Sequence, residues 1–280
     1  MTIALRCERD AERLLRLEGP TLRFVTPSSV ISSTDAVDVD IAVRFDDIAP
    51  FEGKPVFDSG SVWTLYRDGS TWRIECRSVA FGDGPYKVAT FDEHFTRGEI
   101  VIRRDVDVAP LDYPLDEVLI ANLLGRGRGV ELHSCGVIDQ DGRGHLFVGV
   151  SGAGKTTTAR LWERQASGIV SDDRVIVREH QGAMWMFGTP WHGEAELSMQ
   201  GGAPLAGVYL LVQAESNELR TISEAEAVAR LFGCAFPLFY DAAALDFTLS
   251  FLGRLYNSVP VRELRFVRDA SVVQLVREAA

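Results

Sequence analysis

The chain has 280 residues, 46% of them apolar, and a formal net charge of −11. That length and apolar content suit one large domain or two ordinary ones and argue against disorder. The acidic balance argues against a nucleic-acid partner, because counterion release needs clustered Lys and Arg, and no stretch approaches the ~18 apolar residues of a membrane span.

Residues 1–20 leave two readings open, a short amphipathic helix carrying Leu14, Leu15 and Leu17 or an irregular lead-in. Charges from Arg6 to Arg16 leave no unbroken apolar core for a secretory signal, so a cytoplasmic location is the expectation. Cys7, Cys76, Cys135 and Cys234 lie far apart without C-x-x-C spacing, which predicts free thiols rather than a zinc site. Between Thr21 and Asp107, runs rich in β-branched and aromatic residues occur at 22–25, 37–45, 62–66, 71–76, 86–91 and 99–102. Turn signals at Asp68-Gly69, Gly82-Asp83-Gly84 and Arg97-Gly98 separate them, predicting a mainly antiparallel β domain over residues 1–112, as a meander or small sandwich. The acidic pairs Asp46-Asp47 and Asp92-Glu93 read as solvated turns, since neither sits beside a histidine or in metal-ligand spacing.

The composition changes at 108–114, and a second, α/β domain is expected over residues 113–280. Pro114 suits a first helical position; Leu115, Val118, Leu119, Asn122 and Leu123 then share one face, and Gly125 ends the helix. Arg126-Gly127-Arg128-Gly129 reads as a solvated loop, with phosphate contact as the alternative. Residues 130–133 read as a strand, to lie beside a second strand at 145–150 that follows the Asp141-Gly142 turn.

That second strand runs into GVSGAGKTTT at 149–158, which fits the phosphate-cradling pattern G-x-x-x-x-G-K-[ST] at every fixed position. Such a loop turns backbone N–H groups on an anion and adds the positive end of the following helix. Gly149, Ser151, Gly152, Ala153, Gly154, Lys155, Thr156 and Thr157 are therefore the expected nucleotide contacts. The Lys155 ammonium suits the β- and γ-phosphates of ATP, and the Thr156 hydroxyl suits Mg²⁺. The helix is expected from Thr157 to Gly168.

Asp172 and Asp173 follow on a strand at 168–177, seventeen residues beyond Lys155, which leaves room for one helix and one turn. A strand returning beside the loop strand brings at least one carboxylate to the γ-phosphate and its metal, while the other caps or orients. A strand at 183–187 leads into 188–196, where His192, Glu194 and Glu196 suggest substrate or metal contact, against an ordered turn. A strand at 205–212, a capping box Ser223-x-x-Glu226, a helix over 241–256, a strand at 261–267 and a short helix complete the chain.

The strand with His133, the loop at 149–156 and the D-D-R-V run Asp172-Asp173-Arg174-Val175 resemble the HPr kinase/phosphorylase family, whose P-loop domain is related to phosphoenolpyruvate carboxykinase. The resemblance covers roughly residues 113–200 and includes the lysine-to-aspartate interval. It implies an α/β P-loop kinase domain with Asp173 as the base that takes the acceptor proton and His133 as its companion. The family's E-x-R-G segment with its metal-binding glutamate has no clean counterpart; Glu194 and Glu196 are nearest, and Glu196 is taken as the metal candidate beside Thr156. The expectation is a kinase using ATP and Mg²⁺ on a hydroxyl, a Ser or Thr of a small protein or peptide, with Lys155, Asp172, Asp173 and His133 as its catalytic groups. No nucleic acid and no membrane enter this reading, self-association stays open, and an ATP-binding regulatory module without transfer is the alternative. The β-rich half holds no group suited to the chemistry, so it is expected to select the acceptor.

Overall fold

A computed structural model describes residues 1–7, 19–25, 37–49 and 51–279, so the amphipathic reading of Leu14, Leu15 and Leu17 falls outside the described residues. The chain is mixed α/β and divides into two units, Met1–Glu18 with Thr26–Leu123, and Gly19–Val25 with Leu124–Ala280. No helix among the described residues is long and apolar enough to cross a membrane. No disulfide joins the four cysteines.

The first unit contains β1 (Ile3–Arg6), β2 (Val39–Phe45), β3 (Pro55–Asp58), β4 (Trp63–Asp68), β5 (Thr71–Arg77), β6 (Pro85–Phe91), β7 (Arg97–Ile102) and α1 (Leu115–Leu123). The strands form one sheet in the order β1-β2-β7-β6-β5-β4-β3. From β3 to β7 it is an antiparallel meander, whereas β1 and β2 join in parallel. β2 shows why it holds its place: Val39, Ile41, Val43 and Phe45 alternate inward with a period of two. The turn expected at Arg97-Gly98 lies one step earlier. Asp92 accepts from the backbone N–H of Thr96 at 2.7 Å and from its hydroxyl at 2.6 Å, which closes the bend. Gly98 is instead inside β7, where a Cβ would come within 2.5 Å of the Phe91 ring. All five residues expected on the inner face of α1 are buried. Lys87 is fully buried and donates to the carbonyls of Ala109 and Asp112, fastening that segment to β6.

In the second unit the run at 22–25 is no strand but part of a 3₁₀ turn, Gly19–Phe24. Proline's fixed φ suits a helical turn, and its missing N–H weakens a ladder. A π-helical turn at Leu124–Arg128 carries on past α1 through Gly125. Then follow β8 (Val130–Ile138), β9 (Gly144–Val148), α2 (Lys155–Trp162), β10 (Gly168–Ser171), β11 (Arg174–His180), β12 (Ala183–Phe187), β13 (Gly202–Gln213), β14 (Glu218–Thr221), α3 (Glu224–Phe232), α4 (Ala242–Ser258), β15 (Val261–Phe266) and α5 (Ser271–Glu278). α2 is shorter than the expected run to Gly168, because the chain bends through residues 163–167 toward β10.

β9 lies between β8, antiparallel, and β13, parallel; β13 is in turn parallel to β15. The pairings β8–β11, β11–β12 and β12–β13 close a ring with β9. Successive residues of β9 point to opposite faces: Leu146 and Val148 join one core with Leu231, Phe251 and Leu255 of α3 and α4, and Phe147 joins another with Trp162 of α2 and Val272, Val273 and Val276 of α5. Helices thus cover both faces of the sheet. The strand at 168–177 does not return beside β9. Both edges of β9 are taken, so β10 and β11 run along the other edge of β8, as one antiparallel strand broken at Asp172-Asp173.

Candidate functional site

β9 ends at Val148 and delivers the chain into the glycine-rich loop, which ends at the first residue of α2. Gly154, just before α2, has φ 114°, a conformation favouring glycine, and a Cβ there would lie 2.5 Å from Phe266 Cζ. Two constraints, backbone and packing, thus select the same residue. Lys155 is buried and its ammonium donates to the carbonyls of Gly149 at 2.9 Å and Val150 at 3.2 Å. Burial holds its pKa below the ordinary lysine value, opposed by the nearby Asp173 carboxylate. Thr156 and Thr157 are half-buried, Ser151 and Gly152 exposed, and Thr158 turns its hydroxyl to the Gly154 carbonyl at 3.0 Å. Glycine-rich backbone, a lysine cation and a helix N-terminus make a donor set suited to an anion of several oxygens.

The break between β10 and β11 is built by Ser171. Its buried hydroxyl accepts from the N–H groups of Asp173 and Arg174, at 3.1 and 3.0 Å, and donates to the Trp191 carbonyl at 2.9 Å. The two carboxylates then part. Asp172 is buried and accepts the N–H groups of Gly193, Ala195 and Leu197 at 2.8, 2.9 and 3.3 Å. Asp173 is half-buried: one oxygen lies 3.3 Å from His133 Nε2, the other 3.3 Å from Arg174 Nε. The hydrogen bond from His133 holds the Asp173 carboxyl below the ordinary carboxylate range; Arg174 and Lys155 push the same way, against desolvation.

His133 is reached because β8 and the β10–β11 strand are in register, with Arg174 opposite His133 and Ser134 N–H donating to the Asp173 carbonyl at 2.8 Å. On its other side the His133 N–H donates to the Cys234 carbonyl at 2.7 Å, and Gly149 N–H to the His133 carbonyl at 3.4 Å. The histidine strand therefore touches the glycine-rich loop directly. Asp173 and His133 form one pair, and the backbone of His133 joins it to the loop that carries Lys155. Asp172 organises residues 193–197. Glu194 and Glu196 are exposed. Among the described residues no three His, Cys, Asp or Glu side chains gather as a metal cluster.

Three residues carry no site role in the sequence reading. Glu131, with a side chain only 2% exposed, lies 3.5 Å from Arg174. Arg174 is held between that carboxylate and Asp173, its guanidinium 4.5 Å from the Phe236 ring centre and 5.4 Å from that of Trp191. Gln213, at the carboxyl end of β13, donates to the Gly152 carbonyl at 2.7 Å. The position of Arg174 beside the acidic pair is a signal for the first two; nothing local marks Gln213. A shallow cavity of about 360 Å³ lined by Asp139, Arg143, His145 and Arg277 involves none of these groups. No protein-family model matches the chain, and no curated protein matches it significantly.

Proposed function

We propose that this chain is a kinase of the P-loop type, moving the γ-phosphoryl group of ATP onto a hydroxyl, a Ser or Thr of a small protein or peptide. The observation that carries the reading is the Asp173–His133 pair joined to the glycine-rich loop, whose Gly149 N–H donates to the His133 carbonyl. A phosphate-cradling loop alone would serve a sensor; a carboxylate–histidine pair joined to that loop supports transfer.

In this reading the loop from Gly149 to Thr157 holds the polyphosphate, and Thr156 supplies the oxygen ligand suited to Mg²⁺. The ion, when bound, neutralises charge that builds on the phosphoryl oxygens. Asp173 takes the hydroxyl proton. Its lowered pKa makes it a weak base, which fits a loose transition state in which the acceptor proton leaves late. His133 and Arg174 hold the two carboxylate oxygens in place. The resemblance of the D-D-R-V run to the HPr kinase/phosphorylase family agrees with these roles. The β-rich first unit is assigned to acceptor selection, through an exposed sheet edge such as the short β3.

Incubation with ATP labelled at the γ-phosphorus, Mg²⁺ and Ser- or Thr-bearing peptides encoded beside the gene tests the reading. Label on the peptide is the expected result. Tight ATP binding with no labelled product would instead make the chain an ATP-binding regulatory module.

A further inference from the structure

The edges of β9 assign the two ends of a bound nucleotide. On one edge is β8, which carries His133 and, through β11, the Asp173 side of the site. On the other is β13, and beyond it β15, both parallel to β9. The carboxyl ends of β9, β13 and β15 therefore open on the same rim of the sheet, where ligands of open α/β sheets bind. If the terminal phosphate faces Asp173, the rest of the nucleotide extends the other way, over the ends of β13 and β15.

Two exposed side chains stand at that rim. Gln213 ends β13 and its amide donates to the Gly152 carbonyl of the loop at 2.7 Å. Arg268, just past β15, donates to the Gln213 amide oxygen at 3.2 Å. The backbone under Arg268 is pinned on both sides. Val267 N–H donates to Asn217 at 2.8 Å, Asp269 N–H to the Val267 carbonyl at 2.9 Å, and Asp269 caps Ser271 at the start of α5. Phe266 lies against Gly154, which fixes the end of β15 under the loop. A guanidinium so placed is a flat, weakly hydrated cation with an open face, suited to stacking on an aromatic ring and donating to ring nitrogens.

We propose that Arg268, positioned by Gln213, forms the nucleoside subsite, stacking on the base of a nucleoside triphosphate whose phosphates lie in the glycine-rich loop. The proposal rests on the nucleotide reading above and adds to it the direction of the base. Neither residue touches the reacting atoms; Arg268 contributes to affinity for the nucleoside, and Gln213 acts through it.

Calorimetric titration of the full chain with Mg-ATP and with Mg-tripolyphosphate, which has phosphates but no nucleoside, separates the two contributions. Arg268→Ala is expected to weaken ATP binding by about tenfold, the scale of one lost base stack, and to leave tripolyphosphate binding unchanged. Gln213→Ala is expected to lower the ratio of ATP to tripolyphosphate affinity in the wild-type background and to leave that ratio unchanged when Arg268 is already Ala. Equal ATP affinity in Arg268→Ala and wild type would overturn the subsite, as would a parallel loss of both ligands, which would make Arg268 a phosphate contact. Failure of the wild-type chain to bind either probe would remove the nucleotide reading itself, a result distinct from these.

Discussion

Asp172 and Asp173 are neighbours in sequence with opposite surroundings. Asp172 is closed over by three backbone N–H groups, so its replacement acts on folding. Asp172→Ala leaves buried donors unmatched, and a loss of about 2–4 kcal/mol is expected, at about 1–3 kcal/mol for each uncompensated group and with partial relaxation; urea unfolding measures it. Asp173→Asn keeps the shape and removes the charge. Stability is expected to stay within about 1 kcal/mol and ATP binding to persist, while transfer falls by about 10²-fold or more. The reverse pattern, with Asp172→Asn abolishing transfer and Asp173→Asn active, would mean the base is misassigned. The pH response follows from the same contacts. Because the His133 hydrogen bond is the main cause holding the Asp173 carboxyl low, the ionised form persists below the ordinary carboxylate range and activity is lost only as pH falls through that lowered value. His133→Ala removes the main cause, so the acid limb of kcat/KM is expected to move to higher pH. An unmoved limb would exclude Asp173 as the group that titrates.

At the scale of elements, the turn from β9 into α2 is the most constrained point of the unit. Gly154→Ala meets an unfavourable φ, worth about 1–2 kcal/mol for a left-handed residue, and a ring atom 2.5 Å from the new Cβ. The expected outcome is a less stable chain whose ATP affinity falls by an order of magnitude or more, because the loop must move to make room; titration of the variant checks it. Unchanged affinity would show that the loop tolerates the shift. This element was legible in the sequence because each requirement is local: an apolar run, glycines at fixed spacing, a lysine on the first turn. The β4 to β6 strands, α3 with its Ser223 cap accepting from Glu226 N–H at 3.3 Å, and α4 with its Asp241 cap were legible for the same reason. What the sequence hides is set by partners far along the chain. β3 and β14 are four-residue strands at the two sheet edges, too short to show alternation. The Gly98 position looks like a turn until Phe91 is seen to need the space. The break at Asp172-Asp173 depends on the Ser171 hydroxyl and on β8, forty residues upstream, so only a continuous strand is visible locally.

For the whole molecule, every residue assigned to the site lies between Glu131 and Arg268, in the second unit. The first unit has its own sheet and its own buried residues, among them Ile41, Leu65, Ile74, Phe91 and Ile100. The second unit also includes Gly19–Val25, whose Arg23 donates to the Ser198 carbonyl at 3.0 Å. A fragment spanning Leu124–Ala280 loses the Arg23 hydrogen bond, worth about 1 kcal/mol, and keeps both cores of the second sheet. It is expected to fold and to bind Mg-ATP within about threefold of the full chain, since the fragment keeps the bonds that join the glycine-rich loop to His133 and to the Gln213–Arg268 rim. Its KM for the acceptor is expected to rise by at least tenfold with kcat little changed, because an extended peptide gains affinity by pairing along a strand edge that the fragment lacks. Steady-state transfer by the fragment and by the full chain, at matched ATP saturation, measures both constants. If the fragment phosphorylates the acceptor with unchanged KM, the β unit does not recognise it, and acceptor selection must lie within the second unit, around Trp191 and Phe236 beside Arg174.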